Sequence, residues 1–143
     1  MSHILIIEAT FYKDIAKNLA DAALAVLKTA SATYDTIQVP GCFEIPAALA
    51  MAIGSKRYDG YIALGCVIRG ETSHYDYVCG ESARGLNTLA YEHRIAVGYG
   101  IITANTQKQA NARCKNDTHN VGARAASACL AMINLQKKLT SPL

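Results

Sequence analysis

Residues 58–93 read YDGYIALGCVIRGETSHYDYVCGESARGLNTLAYEH. Tyr58 to Ile68 is a nearly unbroken apolar run, the pattern of a strand buried on both faces. Asp76 to His93 reads as a helix, so the polar segment Arg69-Gly70-Glu71-Thr72-Ser73-His74 falls at the junction between them. A buried strand that runs straight into a helix is the beginning of a parallel crossover unit.

The same alternation extends in both directions. Ile4 to Ile7 is β-rich, and residues 12–29 carry Ile15, Leu19, Ala22, Ala23, Val26 and Leu27 at three- and four-residue spacings, the signature of an amphipathic helix. Tyr34 to Val39 gives a strand stopped at Pro40-Gly41, followed by an alanine-rich helix from Phe43 to Ser55. Ile95 to Ile102 is a fourth strand, followed by Thr106 to Cys114 and a helix over 121–138 with Ala125, Cys129, Met132, Ile133 and Leu135 inward. Strict alternation predicts a three-layer doubly wound α/β domain: a four-stranded parallel sheet, covered on both faces, with flavodoxin-like topology. No repeat or linker divides residues 1–143, and 115–120 is the conspicuously polar connection.

Bulk properties narrow the function. The 143 residues are 51% hydrophobic, enough for one core that buries about two thirds of the unfolded surface. A net charge of +3 arises from scattered lysines and arginines with no basic run or interleaved aromatics, which argues against a nucleic-acid partner. No apolar stretch approaches the ~20 residues of a membrane span, and no signal-peptide pattern precedes the first strand, so a cytoplasmic protein is expected. The five cysteines are odd in number, lie far apart and form no CxxC, which reads as small buried hydrophobes rather than disulfides or a zinc site.

In doubly wound sheets ligands bind beyond the carboxyl ends of the strands. The segments that matter are therefore Ala9-Thr10-Phe11, Pro40 to Glu44, Arg69 to His74 and Thr103 to Thr106. Gly70 permits close approach of backbone, and the amides of Glu71, Thr72 and Ser73 open a helix, a setting that suits a phosphate and equally an ordinary capped helix. His74 lies in that first turn, either as a proton carrier or as a merely hydrogen-bonded imidazole. Phe11 is placed to stack on a heteroaromatic ligand or to pack in the core, and Glu44 to accept sugar hydroxyls or to favour its helix N-terminus. A flavodoxin's FMN site needs a hydroxyl- and glycine-rich loop after the first strand, which Ala9 to Lys13 lacks, and a response receiver needs clustered acids where only Glu8 stands. A cysteine hydrolase built on Cys66 or Cys79 with His74 is conceivable, although Cys66 falls within an apolar strand, where thiols are inert.

Four stretches, taken together, resemble the lumazine synthase family over nearly the whole chain: Glu8 to Tyr12, Val39 to Pro46, Gly65 to Val78, and Gly100 to Thr103 with Gln109-Ala110 and Arg113 beyond. The resemblance implies condensation of 5-amino-6-ribitylamino-2,4(1H,3H)-pyrimidinedione with 3,4-dihydroxy-2-butanone 4-phosphate to 6,7-dimethyl-8-ribityllumazine, without cofactor or metal. It implies that Phe11 stacks on the pyrimidine, that Glu44 and the backbone at Cys42 and Phe43 hold the ribityl chain, and that Cys66, Val67 and Ile68 line the base. Gly70, Glu71 and Thr72 are implied to cradle the phosphate while His74 moves protons. The family site lies between subunits, so Tyr99 is implied to close the cleft from the next chain and Arg113 to reach the phosphate from there.

One stretch departs from the family pattern. The usual Asn-Lys-Gly, followed one residue later by an acid, is here Asn120-Val121-Gly122-Ala123-Arg124, which removes a lysine counted among active-site residues. Arg124, three positions from Val121 on one helix face, is the expected substitute, with Lys115 and His119 as competitors and simple loss of the charge as the remaining alternative. A homo-oligomer built on a pentamer is expected because the implied site needs a neighbouring subunit, and a free pentamer rather than a decamer or icosahedral shell because the chain begins almost at the first strand. A catalytically weak lumazine- or flavin-binding protein on the same scaffold is the alternative.

Overall fold

The computed structural model describes residues 1–142. Within them the strands β1 (His3–Ala9), β2 (Thr33–Val39), β3 (Gly60–Ile68) and β4 (Ala96–Ala104) alternate with the helices α1 (Lys13–Thr29), α2 (Ile45–Ser55), α3 (His74–His93), α4 (Gln107–Arg113) and α5 (Val121–Thr140). A single 3₁₀ turn, Cys42–Glu44, leads into α2. All strand pairs are parallel, in the order β2-β1-β3-β4, with Ile7 opposite both Ile37 and Ala63 and Ile62 opposite Gly98. The chain winds one way from β1 to β2 and the other way from β3 to β4, so the expected doubly wound topology holds and its switch point lies between β1 and β3.

Alternate residues of each strand serve two cores. Ile4, Ile6, Ile62, Leu64 and Ile102 pack on one face against Leu19 and Leu27 of α1 and Cys129 and Ile133 of α5. Leu5, Ile7, Tyr61, Ala63 and Ile101 pack on the other against Ile45 and Leu49 of α2 and Val78 and Leu86 of α3. The approach of α5 to the sheet is unusually close: a Cβ at Gly98 would stand 2.0 Å from the carbonyl oxygen of Ala125. Only glycine at that strand position allows helix backbone to lie against it.

Two expectations about burial fail. No residue of β2 is buried, with Tyr34 and Ile37 exposed, because β2 is an edge strand that no helix covers. Met132 and Leu135 are exposed as well. The contact stripe of α5 runs through Gly122, Ala125, Ala126, Cys129 and Ile133, and at roughly 100° per residue positions 132 and 135 both fall off the same side of it. Boundaries shift by a few residues. Tyr58 and Asp59 stay outside β3, where Asp59 exchanges bonds with His3 by accepting its amide on a carboxylate oxygen (2.8 Å) and donating its own amide to its carbonyl (2.8 Å).

The two ends of the sheet differ in a way that matters for function. At the amino end polar groups satisfy one another: Tyr58 donates to Asp35 (2.9 Å), and the His3 ring lies between Thr33 (2.7 Å) and Asp35 (3.2 Å). The Tyr58 hydroxyl and the His3 ring hold the Asp35 carboxyl below its ordinary range. The carboxyl end is left open.

Candidate active site

A cleft of about 460 Å³ lies at the carboxyl ends of β1 and β3, beside the switch point. Its walls come from Phe11 and Tyr12 after β1, from Gly41 to Glu44 after β2, from Cys66, Val67 and Ile68 at the end of β3, and from Gly70, Thr72, His74, Tyr75 and Val78 beyond it. Ten of the fourteen residues singled out from sequence thus share one cavity.

Local packing explains how the β2–α2 wall is set. A Cβ at Gly65 would meet Cys42 Sγ at 2.5 Å, so glycine in β3 makes room for the buried Cys42 side chain and seats the 3₁₀ turn over the sheet. Phe43 and Glu44 follow on the exposed side of that turn. The chain's two phenylalanines, Phe11 and Phe43, both line this cleft, yet they remain 74% and 55% exposed. Core packing is thereby excluded for Phe11, whose ring meets that of Tyr12 edge to face (centroids 5.0 Å, planes 78° apart). Exposed rings at a cavity mouth are an unfavourable use of apolar surface unless a flat ligand covers them.

The opposite wall is polar backbone. Ser73, the residue before α3, caps no amide with its side chain, and the Thr72 hydroxyl accepts the His74 amide at 3.3 Å. Among the described residues the amides of Glu71, Thr72 and Ser73 have no protein partner. The simple capped-helix alternative therefore leaves donors over, and they stand at the positive end of a 20-residue helix. No lysine or arginine lines the cleft.

Burial suppresses the thiolate form of three cysteines. Burial pushes Cys42 and Cys66 in the cleft wall, and Cys129 beneath α5, up to about 12. Burial also raises the half-buried Cys79, so neither thiol of the cysteine-hydrolase alternative is activated as a nucleophile. Iodoacetamide at neutral pH is expected to leave Cys42, Cys66 and Cys129 unmodified in the folded protein, as read by mass spectrometry, and to modify them once it is denatured. Raised values also carry a sign for stability. Above the ordinary thiol value of 9.0 the unfolded chain ionises while the folded one does not, so stability falls as pH rises from there toward about 12.

Four expected site residues lie away from the cleft wall. Glu71 is exposed in the loop between Gly70 and Thr72. Tyr99 lines a separate hollow between α3 and β4 with Leu86 and Val97, and burial raises its phenol. Arg113, at the end of α4, donates from Nη1 to the Gln109 carbonyl (3.0 Å). Arg124 is exposed in the first turn of α5, which Asn120 caps by accepting the amides of Gly122 (2.8 Å) and Ala123 (3.2 Å). Lys115 and His119 are exposed in the connection before it. The segment Thr103 to Thr106 stays out of the cleft because β4 is the far edge of the sheet. Tyr12, Gly41, Tyr75 and Val78 line the cleft without having been singled out. Tyr12 and Tyr75 adjoin Phe11 and His74, and that adjacency was the available signal.

Comparison with known proteins identifies the family. The sequence profile of the family described as 6,7-dimethyl-8-ribityllumazine synthase matches residues 1–137. The chain is 50% identical over 137 residues to the 6,7-dimethyl-8-ribityllumazine synthase of Bartonella tribocorum, covering 95% of this chain and 91% of that one. It is 49% identical over 142 residues to 6,7-dimethyl-8-ribityllumazine synthase 1 of Rhizobium meliloti, with 96% and 93% covered. The protein of the same name from Agrobacterium fabrum is 49% identical, with 96% of each chain covered. With a profile match across nearly its full length and relatives at half identity, the chain belongs to the 6,7-dimethyl-8-ribityllumazine synthase family.

Proposed function

We propose that this protein condenses 5-amino-6-ribitylamino-2,4(1H,3H)-pyrimidinedione with 3,4-dihydroxy-2-butanone 4-phosphate, yielding 6,7-dimethyl-8-ribityllumazine, phosphate and two waters. The observation that carries the reading is the pairing, within one cleft, of exposed phenylalanines on one wall with partnerless helix-end amides on the other. A flat heterocycle suits the first and a phosphate the second.

Phe11 stacks on the pyrimidine, and Glu44 with the backbone of Cys42 and Phe43 receives the ribityl hydroxyls. Cys66, Val67 and Ile68 line the base edge, and Gly70, Glu71 and Thr72 seat the phosphate. The pyrimidine amine attacks the ketone and the carbinolamine loses water to give an imine. Phosphate then leaves, and the second amine closes the ring with loss of the second water. Each step relocates a proton, and His74, on the cleft wall beside the phosphate loop, is the group positioned to carry it. Holding both substrates together supplies much of the remaining acceleration.

The missing cation points to a neighbouring chain. A phosphate seated on amides alone, in a wall without lysine or arginine, calls for an outside charge. Arg113 of an adjacent subunit supplies it and Tyr99 of that subunit closes the cleft, in a homopentamer whose contacts cover the bare β2 strand and exposed Met51. Arg124 takes the place of the lysine that Val121 replaces, by leaning back over Val121 on the same helix face. Arg124→Ala is expected to weaken substrate binding by about 1–3 kcal/mol, and titration of either substrate checks it. No helix among the described residues is long and apolar enough to cross a membrane, and free, mostly buried thiols suit the reducing cytoplasm.

The test is lumazine formation from the two purified substrates, followed by absorbance. The protein is expected to form product well above the enzyme-free rate, and His74→Ala to lose roughly tenfold to a hundredfold in kcat with an unchanged melting temperature. Product binding without formation would instead establish the lumazine-binding alternative.

A further inference from the structure

Arg69 stands in the loop where an anion is expected, yet it does not line the cleft. Its backbone amide, Nε and Nη2 are engaged elsewhere. The backbone amide donates to the Ala104 carbonyl (2.9 Å), carrying the β3–β4 ladder one step past Ile68. Nε donates to Asn105 Oδ1 (3.0 Å), Nη2 lies 3.4 Å from Asp76 Oδ1, and the guanidinium carbon sits 4.3 Å from the centre of the Tyr75 ring. Tyr75 and Asp76 are the two residues after His74 in the first turn of α3, and Tyr75 itself lines the cleft.

The anchor at the other end is rigid. The Asn105 amide donates to Gln109 Oε1 (2.8 Å), while the Gln109 amide donates to Thr106 Oγ1 (3.1 Å), a reciprocal cap at the start of α4. Gln109 also accepts the Arg113 guanidinium on its carbonyl. One side chain therefore ties the turn that carries His74 to the capped end of β4 and α4.

We propose that Arg69 is a positioning residue: it fixes the first turn of α3, and with it His74 and the phosphate-seating amides, without touching substrate. The need is local. Gly70 has open space around the position of its Cβ, Ser73 does not cap the helix, and the long Thr72 bond to the His74 amide (3.3 Å) lies within the loop itself, so little else ties residues 70–73 to the rest of the fold. Arginine suits the place because its planar fork gives Nε to one element and Nη2 to another while its face lies on a ring. Lysine has a single donor point and no flat face. An exposed pair of this kind contributes little to global stability, whereas a displacement of about 1 Å at a reacting group can cost 10²-fold in rate.

The proposal rests on the phosphate seat described above, and the experiment separates the two. Arg69→Ala, Arg69→Lys, Asn105→Ala and the Arg69→Ala/Asn105→Ala double variant are assayed for KM and kcat with each substrate. Backbone hydrogen exchange over residues 70–77 is followed in parallel by mass spectrometry. Arg69→Ala is expected to raise KM for the butanone phosphate about tenfold, leave KM for the pyrimidinedione within about twofold, and hold the melting temperature within about 2 °C. Arg69→Lys should fall between the parent and Arg69→Ala. Asn105→Ala should move in the same direction as Arg69→Ala, and the double variant should be no worse than Arg69→Ala, since both remove one link. Exchange over 70–77 should quicken in Arg69→Ala. Parent-like kinetics and exchange in Arg69→Ala would overturn the proposal. So would a silent Asn105→Ala beside a fully active Arg69→Lys, the pattern of a direct phosphate ligand. If the parent protein forms no lumazine, the functional reading fails, and unchanged exchange in Arg69→Ala then overturns the strut by itself.

Discussion

Gly98→Ala is expected to destabilise the protein by about 3 kcal/mol and to lower its melting temperature by about 10 °C. The added methyl would stand 2.0 Å from the carbonyl oxygen and 2.8 Å from the carbonyl carbon of Ala125, both backbone atoms of α5. A flexible side chain could turn aside, but a helix must move as a whole. That movement would also disturb the contact one turn earlier in its stripe, where a Cβ at Gly122 would lie 2.2 Å from the Leu19 carbonyl oxygen of α1. Gly54→Ala is the control, because open space surrounds that position near the end of α2. It should change stability by less than about 1 kcal/mol, in the stabilising direction expected for alanine in a helix. Thermal unfolding of both variants at one protein concentration checks the pair. Equal melting temperatures would mean that α5 does not lie on β4 as described.

The second large effect belongs to assembly. Arg113→Ala alone should lower kcat/KM for the butanone phosphate roughly 10- to 100-fold, the scale of a hydrogen bond to a charged group. Phe11→Ala should impair the pyrimidinedione instead. When the two variant chains are co-expressed and co-assemble, about one site in four combines an intact Phe11 with an intact Arg113 from the adjacent chain, and activity should rise toward a quarter of the parent's. A site contained in a single chain cannot be rescued this way. Mixed assemblies no more active than the better variant would rule out the shared site.

What could be read from sequence divides along physical lines. The β3–loop–α3 junction was legible because a continuous apolar run, a glycine and a helical period follow one another with no ambiguity of type, and the site hangs from that junction. β2 was legible as a strand but not as an uncovered one, since β-propensity records backbone preference and not which helix lies overhead. Met132 and Leu135 are apolar yet exposed, because apolar identity does not fix direction and the face of α5 that meets the sheet is made mostly of small residues. Phe11 was undecided between core and ligand until its exposure was known. Arg113 and Tyr99 are singled out by family resemblance alone, and Arg124 by a departure from that pattern together with its spacing from Val121. A residue that serves a neighbouring chain leaves no periodic trace, because within its own chain it is simply part of the surface.

The most direct measurement is an experimental structure of the assembled protein with 6,7-dimethyl-8-ribityllumazine and inorganic phosphate bound. The lumazine ring should lie on Phe11 with its ribityl chain toward Glu44. Phosphate should rest on the amides that follow Gly70, within hydrogen-bond distance of Arg113 from an adjacent chain. A lumazine bound away from the β1–β3 switch point, or a phosphate held entirely by one chain, would contradict the account.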